Sequence, residues 1–180
     1  MDRSTELVTE IGAMPGKARE KTADKLVIKR VYDAPIDVVW DAWADPARAK
    51  QWWGPRGFTA PVVELDERPG GHWRAQMIAP DGTELWQHGV YREIVPKKRI
   101  VYTFIWDKEP DHEMLVGVDF GARGGKTEIT FQQTGFKSEG EREGHKGGWG
   151  ESFDRLSEFL AGAAVNRNNK SSGGFADARR

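Results

Sequence analysis

Between residues 58 and 133 the sequence is cut at short intervals by turn-forming clusters: Arg68-Pro69-Gly70-Gly71, Pro80-Asp81-Gly82, Val95-Pro96-Lys97, Lys108-Glu109-Pro110-Asp111 and the glycine-rich run 121–125. Proline presets the backbone for a turn, and glycine adopts conformations that other residues resist, so each cluster ends an extended segment. Six segments of strand length remain, at 58–67, 72–79, 84–94, 99–106, 113–120 and 126–133. Connections this short join antiparallel neighbours.

Within the segments apolar residues alternate. Trp73, Ala75 and Met77 share one parity, as do Trp86 and Val90 with His88 between them, and Ile100, Tyr102, Phe104 and Trp106. Met114, Val116, Val118 and Phe120 continue the pattern, followed by Ile129 and Phe131. Val101 and Ile105 make the fourth segment apolar on both sides. One apolar face per strand predicts an antiparallel sheet covered on one side, and a one-residue slip would invert every side chain of a strand.

The cover comes from residues 139–162. Ser138-Glu139-Gly140-Glu141 reads as a capping box, and His145, Trp149, Phe153, Leu156, Phe159 and Leu160 recur at helical spacing. Upstream, a β-branched segment at 25–33 leads into Ala34-Pro35, where proline fits the first turn of a helix. Ile36, Val39, Trp40 and Trp43 then line one helical face, and Asp45-Pro46 opens a second short helix through Trp53, which Gly54-Pro55 stops. Residues 1–24 show no period and read as a flexible N-terminal arm. Residues 164–180, poor in apolar side chains, read as a disordered C-terminal tail, leaving one α+β domain at 25–163.

Composition narrows the chemistry. Charges balance, with 27 basic and 28 acidic residues, which disfavours binding to nucleic acid. There is no cysteine, so disulfides, thiolate metal sites and a cysteine nucleophile are excluded. No apolar run is long enough for a membrane span, and the first residues lack the apolar core of a secretory signal, so the chain is expected to be cytoplasmic. Nucleophile-elbow, phosphate-loop and dinucleotide motifs are absent, and His72, His88, His112 and His145 have no ligand spacing, so neither a cofactor nor a metal is expected. Eight Trp, eight Phe and three Tyr in a chain this polar imply either a ring-filled core or a ring-lined hollow.

The order strand, two short helices, six-strand meander and long C-terminal helix resembles the helix-grip fold of the START-like (SRPBCC) superfamily. Trp52-Trp53-Gly54-Pro55, Asp66-Glu67-Arg68-Pro69-Gly70-Gly71, Pro80-Asp81-Gly82, Gly89-Val90-Tyr91-Arg92-Glu93-Ile94 and Gly144-His145-Lys146-Gly147-Gly148-Trp149 resemble its activator-of-heat-shock-protein-ATPase homologue branch. The resemblance covers about residues 25–161. It implies a curved sheet wrapped around the C-terminal helix, in a superfamily of lipid and hormone carriers, cyclases and domains of other roles.

On that fold, the strand and helix faces put Trp73, Met77, Trp86, His88, Tyr102, Phe104, Met114, Val116, Phe131, Trp149, Phe153 and Leu156 around a cavity between sheet and helix. The expected function is binding of a small hydrophobic molecule, aromatic or lipid-like, with His88 and Tyr102 as orienting polar groups. His145 either points into the cavity or caps a buried carbonyl, and the Gly147-Gly148 pair is expected to permit close approach of helix to sheet. No residue is assigned a catalytic role. The alternatives are a chaperone partner whose ATPase the domain stimulates, and a cyclase or aromatase. Homodimerisation through the sheet is left open.

Overall fold

The computed structural model describes residues 24–172. The first element, β1 (Lys25–Tyr32), is followed by two short helices, α1 (Ile36–Ala44) and α2 (Pro46–Ala49). Six strands follow, β2 (Thr59–Leu65), β3 (His72–Ile78), β4 (Glu84–Val95), β5 (Arg99–Trp106), β6 (Glu113–Arg123) and β7 (Lys126–Thr134), and the long helix α3 (Glu139–Ser172) is the last of the described elements. The arm expected at 1–24 lies outside the described residues except for Asp24, as do the last eight residues of the expected tail.

The strands form one antiparallel sheet in the order β1-β7-β6-β5-β4-β3-β2. Tight turns make β2 to β7 a meander, and β1 closes the far edge by pairing with β7, Ile28 opposite Phe131. The turn clusters act as the sequence implies: Gly82 takes φ 87° after Pro80-Asp81, and Lys97 holds φ 62° after Pro96. Asp45 caps α2, its Oδ1 accepting from Ala47 N at 2.9 Å, with Pro46 at the first helical position. That helix ends at Ala49, short of the expected Trp53, because residues 50–52 continue as turns.

Ser138 Oγ accepts from Glu141 N at 3.1 Å, and Glu141 Oε2 accepts from Lys137 N at 2.6 Å, so α3 begins where the capping residues place it. It runs on through Ser172, beyond the end expected at Gly162. The residues after Gly162 include Ala163, Ala164 and Val165 and no proline, and one interior glycine lowers helix stability without ending the helix.

Rings fill most of the space between sheet and helices. Trp43 stacks obliquely on Trp52 at 4.8 Å, Phe131 on Trp149 at 4.6 Å, and Trp53 edges Trp149 at 5.6 Å. The covered face follows the expected parity on β3, β5, β6 and β7, with Trp73, Tyr102, Val116 and Phe131 all buried. On β4 the parity is reversed. Gln87, Gly89 and Tyr91 face the core, while Trp86, His88 and Val90 lie on the outer side. Two contacts account for this. Arg74 covers the Trp86 ring at 4.3 Å, so the indole is shielded on the outer face, and only a residue without a Cβ fits where Gly89 meets the Trp73 indole.

Candidate functional site

A cavity of about 190 Å³, open to solvent on one side, lies between β3–β5, the turn after α2 and the first half of α3. The sheet contributes Met77, Leu85, Gln87, Phe104 and Trp106, and the turn contributes Trp53, Gly54, Pro55 and Phe58. From α3 come Gly144, His145, Gly148, Trp149 and Ser152.

The hollow exists because one stripe of α3 is nearly bare. Gly144, Gly148 and Ser152 recur every fourth residue and share one face of the helix. A Cβ on Gly148 would come no nearer than 3.6 Å to Pro55 Cγ, and one on Gly144 would meet nothing within 4 Å. The glycines therefore keep space open, where the sequence suggested that they let helix and sheet touch. One residue further round, Trp149, Phe153, Leu156 and Leu160 are buried and fill the sheet solidly. The other wall is fixed by Arg155, whose guanidinium donates to the carbonyls of Trp53 (3.2 Å), Gly54 (2.8 Å) and Pro55 (3.2 Å). Gly54 holds a φ of 97° that other residues resist, and a Cβ there would press on Met77 Sδ.

A hydrogen-bonded chain runs from the wall into the core. Trp106 Nε1 donates to His145 Nε2 at 3.1 Å, so the imidazole proton sits on Nδ1, which donates to Gln133 Oε1 at 3.1 Å. The same oxygen accepts from Trp149 Nε1 at 3.0 Å, and Gln133 Nε2 reaches Met114 Sδ at 3.5 Å. Burial holds the His145 imidazole below its ordinary value of 6.5; Glu141 pulls it up more weakly, and His112 adds to the depression. Glu141 is itself bound to His112 Nε2 at 3.0 Å. His145 is therefore neutral at neutral pH with both nitrogens engaged.

The depressed value has a consequence for stability. The unfolded chain takes up a proton at His145 near pH 6.5 while the folded chain resists it, so this contribution is complete above that pH and declines on acidification. Urea unfolding should show a loss of stability from neutral pH to about pH 5 that is smaller in His145→Gln. Equal slopes in the two proteins would refute the assignment.

Of the residues selected from the sequence, the structure brings Met77, Phe104 and Trp149 to the cavity wall. Trp73 and Tyr102 instead border a separate void of about 10 Å³, no larger than one water molecule requires. Trp73 Nε1 donates to Thr103 O at 2.9 Å, and the Tyr102 hydroxyl is buried, without a partner, and raised far above its ordinary value by burial and by Tyr91. Met114, Val116, Phe131, Phe153 and Leu156 belong to the filled core. Trp86 and His88 lie on the opposite face of the sheet, where His88 Nδ1 pairs with Asp107 Oδ1 at 2.5 Å and Arg74 reaches Asp107 Oδ2 at 3.2 Å. His88 thus cannot orient a molecule in the cavity.

Sequence reasoning missed Gln87, Leu85, Trp106 and Phe58 as wall residues, placed Trp53 only near a cavity mouth beside Trp40, Trp43 and Trp52, and left His145 between two roles. The reversed parity of β4 hid the first pair. The Gly144–Gly148–Ser152 spacing was the available signal, since small residues every fourth position on an otherwise ring-bearing helix mark a face that fills nothing.

Among solved structures, a Chromobacterium violaceum protein superposes with a TM-score of 0.70 at 27% identity, covering 76% of this chain and 96% of that one. A Rhizobium leguminosarum protein is 32% identical with a TM-score of 0.60, covering 76% of this chain and 93% of its own. The AHSA1 protein of Silicibacter pomeroyi shares the fold at 23% identity and a TM-score of 0.69, covering 76% and 97%. No curated protein matches the chain. No helix among the described residues is long and apolar enough to cross a membrane. The model of the Activator of Hsp90 ATPase homolog 1-like family matches residues 33–161, most of the described chain, and with the helix-grip architecture this makes the chain a member of that family in the START-like superfamily.

Proposed function

We propose that the domain binds a compact, uncharged, predominantly apolar molecule, of the size of a substituted aromatic ring, in the cavity under the first half of α3. The observation that carries this reading is a hollow of about 190 Å³ walled by Trp53, Phe58, Met77, Phe104 and Trp149 and left open by Gly144 and Gly148. An apolar cavity of roughly 150 Å³ is enough to take up benzene, whereas sites for larger ligands span roughly 300 Å³ or more. Size therefore favours one ring over an extended acyl chain. Among the described residues no Asp, Glu, Lys or Arg side chain lines the wall, so an ionised ligand would lose its hydration without gaining a partner. The absence of a wall carboxylate, and an imidazole with both nitrogens bound, support binding over proton-transfer chemistry.

Titrating single-ring neutral aromatics into the protein should shift the indole NH resonances of Trp53, Trp106 and Trp149. Gly148→Leu puts a side chain into the hollow, and removing a ring's worth of apolar contact should weaken binding by roughly 10- to 100-fold. The same change replaces a helical glycine, so stability should rise by about 1 kcal/mol. Unaltered affinity in a well-folded Gly148→Leu protein would place binding elsewhere.

A further inference from the structure

Gln87 stands apart from the rest of the cavity wall. It sits in the first half of β4, paired on both sides within the sheet opposite Ala75 and Trp106, so its backbone is fixed. Its residue is 2% exposed, it lines the cavity, and its Nε2 donates to no acceptor. Four other donors of the wall are spent within the protein: Ser152 Oγ on Gly148 O at 2.8 Å, Trp149 Nε1 on Gln133, Trp106 Nε1 on His145, and His145 Nδ1 on Gln133. A buried amide N–H left unpaired costs stability that an apolar side chain of similar volume would not. A molecule that enters the cavity and accepts from Gln87 removes that cost.

We infer that Gln87 is the specificity-determining residue of the cavity, donating from Nε2 to a carbonyl or similar neutral oxygen at the inner end of the ligand. The inference rests on the proposed function and sharpens it: the ligand class becomes compact aromatic ketones, aldehydes and their like, as opposed to hydrocarbons. The apolar rings hold the body of the molecule, and one hydrogen bond fixes which way round it lies.

Two probes of one shape separate the contributions. Acetophenone carries a carbonyl oxygen where α-methylstyrene carries a methylene group, and both fit the volume of a substituted ring. Calorimetric or NMR titration of the wild type and of Gln87→Met should show the ratio of the two affinities moving by about five- to tenfold against acetophenone in the variant. α-Methylstyrene affinity should change by less than about twofold, because the substitution conserves volume. Unliganded Gln87→Met should also melt a few degrees higher than the wild type, since it discards the unpaired donor, and this readout shows that the variant is folded. If both probes bind and their ratio is the same in the two proteins, the role of Gln87 is refuted while the cavity reading stands. If neither probe binds the wild type, the cavity reading fails and takes this inference with it.

Discussion

Alanine at position 89 is expected to destabilise the protein by about 4 kcal/mol or more, or to prevent folding altogether. Gly89 lies on the covered face of β4, and a Cβ there would fall inside van der Waals distance of both the Thr103 carbonyl and Trp73 Nε1. Those two groups are themselves hydrogen-bonded at 2.9 Å across the strand. The bond reorganises the ladder around it. Pairing between β4 and β5 lapses between His88 and Tyr91, and Val90 N is received by the Thr103 hydroxyl at 2.9 Å while the Thr103 carbonyl is taken by the indole. An added methyl group therefore meets backbone, which cannot rotate away as the end of a side chain can. For a domain of this size the melting temperature should fall by roughly 10 °C. Circular dichroism melts would check this, and a Gly89→Ala protein melting within a couple of degrees of the wild type would overturn the account.

Gln133→Leu should be nearly as severe. Its side chain is fully buried, and its one oxygen accepts from both Trp149 Nε1 and His145 Nδ1. Leucine fills much the same volume but leaves two buried donors without an acceptor, at about 1–3 kcal/mol each. A loss of about 2–5 kcal/mol in urea unfolding is expected, with part of it recovered in Gln133→Leu/Trp149→Phe, where one orphaned donor is gone. Strict additivity of the two changes would count against the shared acceptor. The effect should reach the cavity, because His145 released from Gln133 no longer holds the acceptor that fixes the Trp106 indole at the rim.

The architecture was readable from local signals because turns and caps act over a few residues. Pro80-Asp81-Gly82, Asp45-Pro46 and Ser138-Glu141 each satisfy or forbid backbone groups in their immediate neighbourhood, and each marks its boundary in the structure. A meander follows directly, since short connections leave antiparallel pairing as the arrangement within reach. Where β4 was concerned, both parities carried rings, and alternation could not decide between Leu85-Gln87-Gly89-Tyr91 and Trp86-His88-Val90. The deciding contacts come from β3: Trp73, which excludes a side chain at position 89, and Arg74, which covers the ring of Trp86.

By itself, then, the sequence settled the strand segments, the antiparallel meander and the start of the gripping helix, all of which depend on backbone chemistry repeated along the chain, and its motifs carried the resemblance to the family. Only the tertiary structure decided which face of β4 is covered, that Phe131, Phe153 and Leu156 are packed solid, and that the hollow lies beside Gly144 and Gly148. A cavity is a shortfall of side-chain volume where several elements meet, and no single element records it. The bare stripe of one helix becomes an opening only when the turn held by Arg155 and the faces of β3, β4 and β5 stop short of filling it.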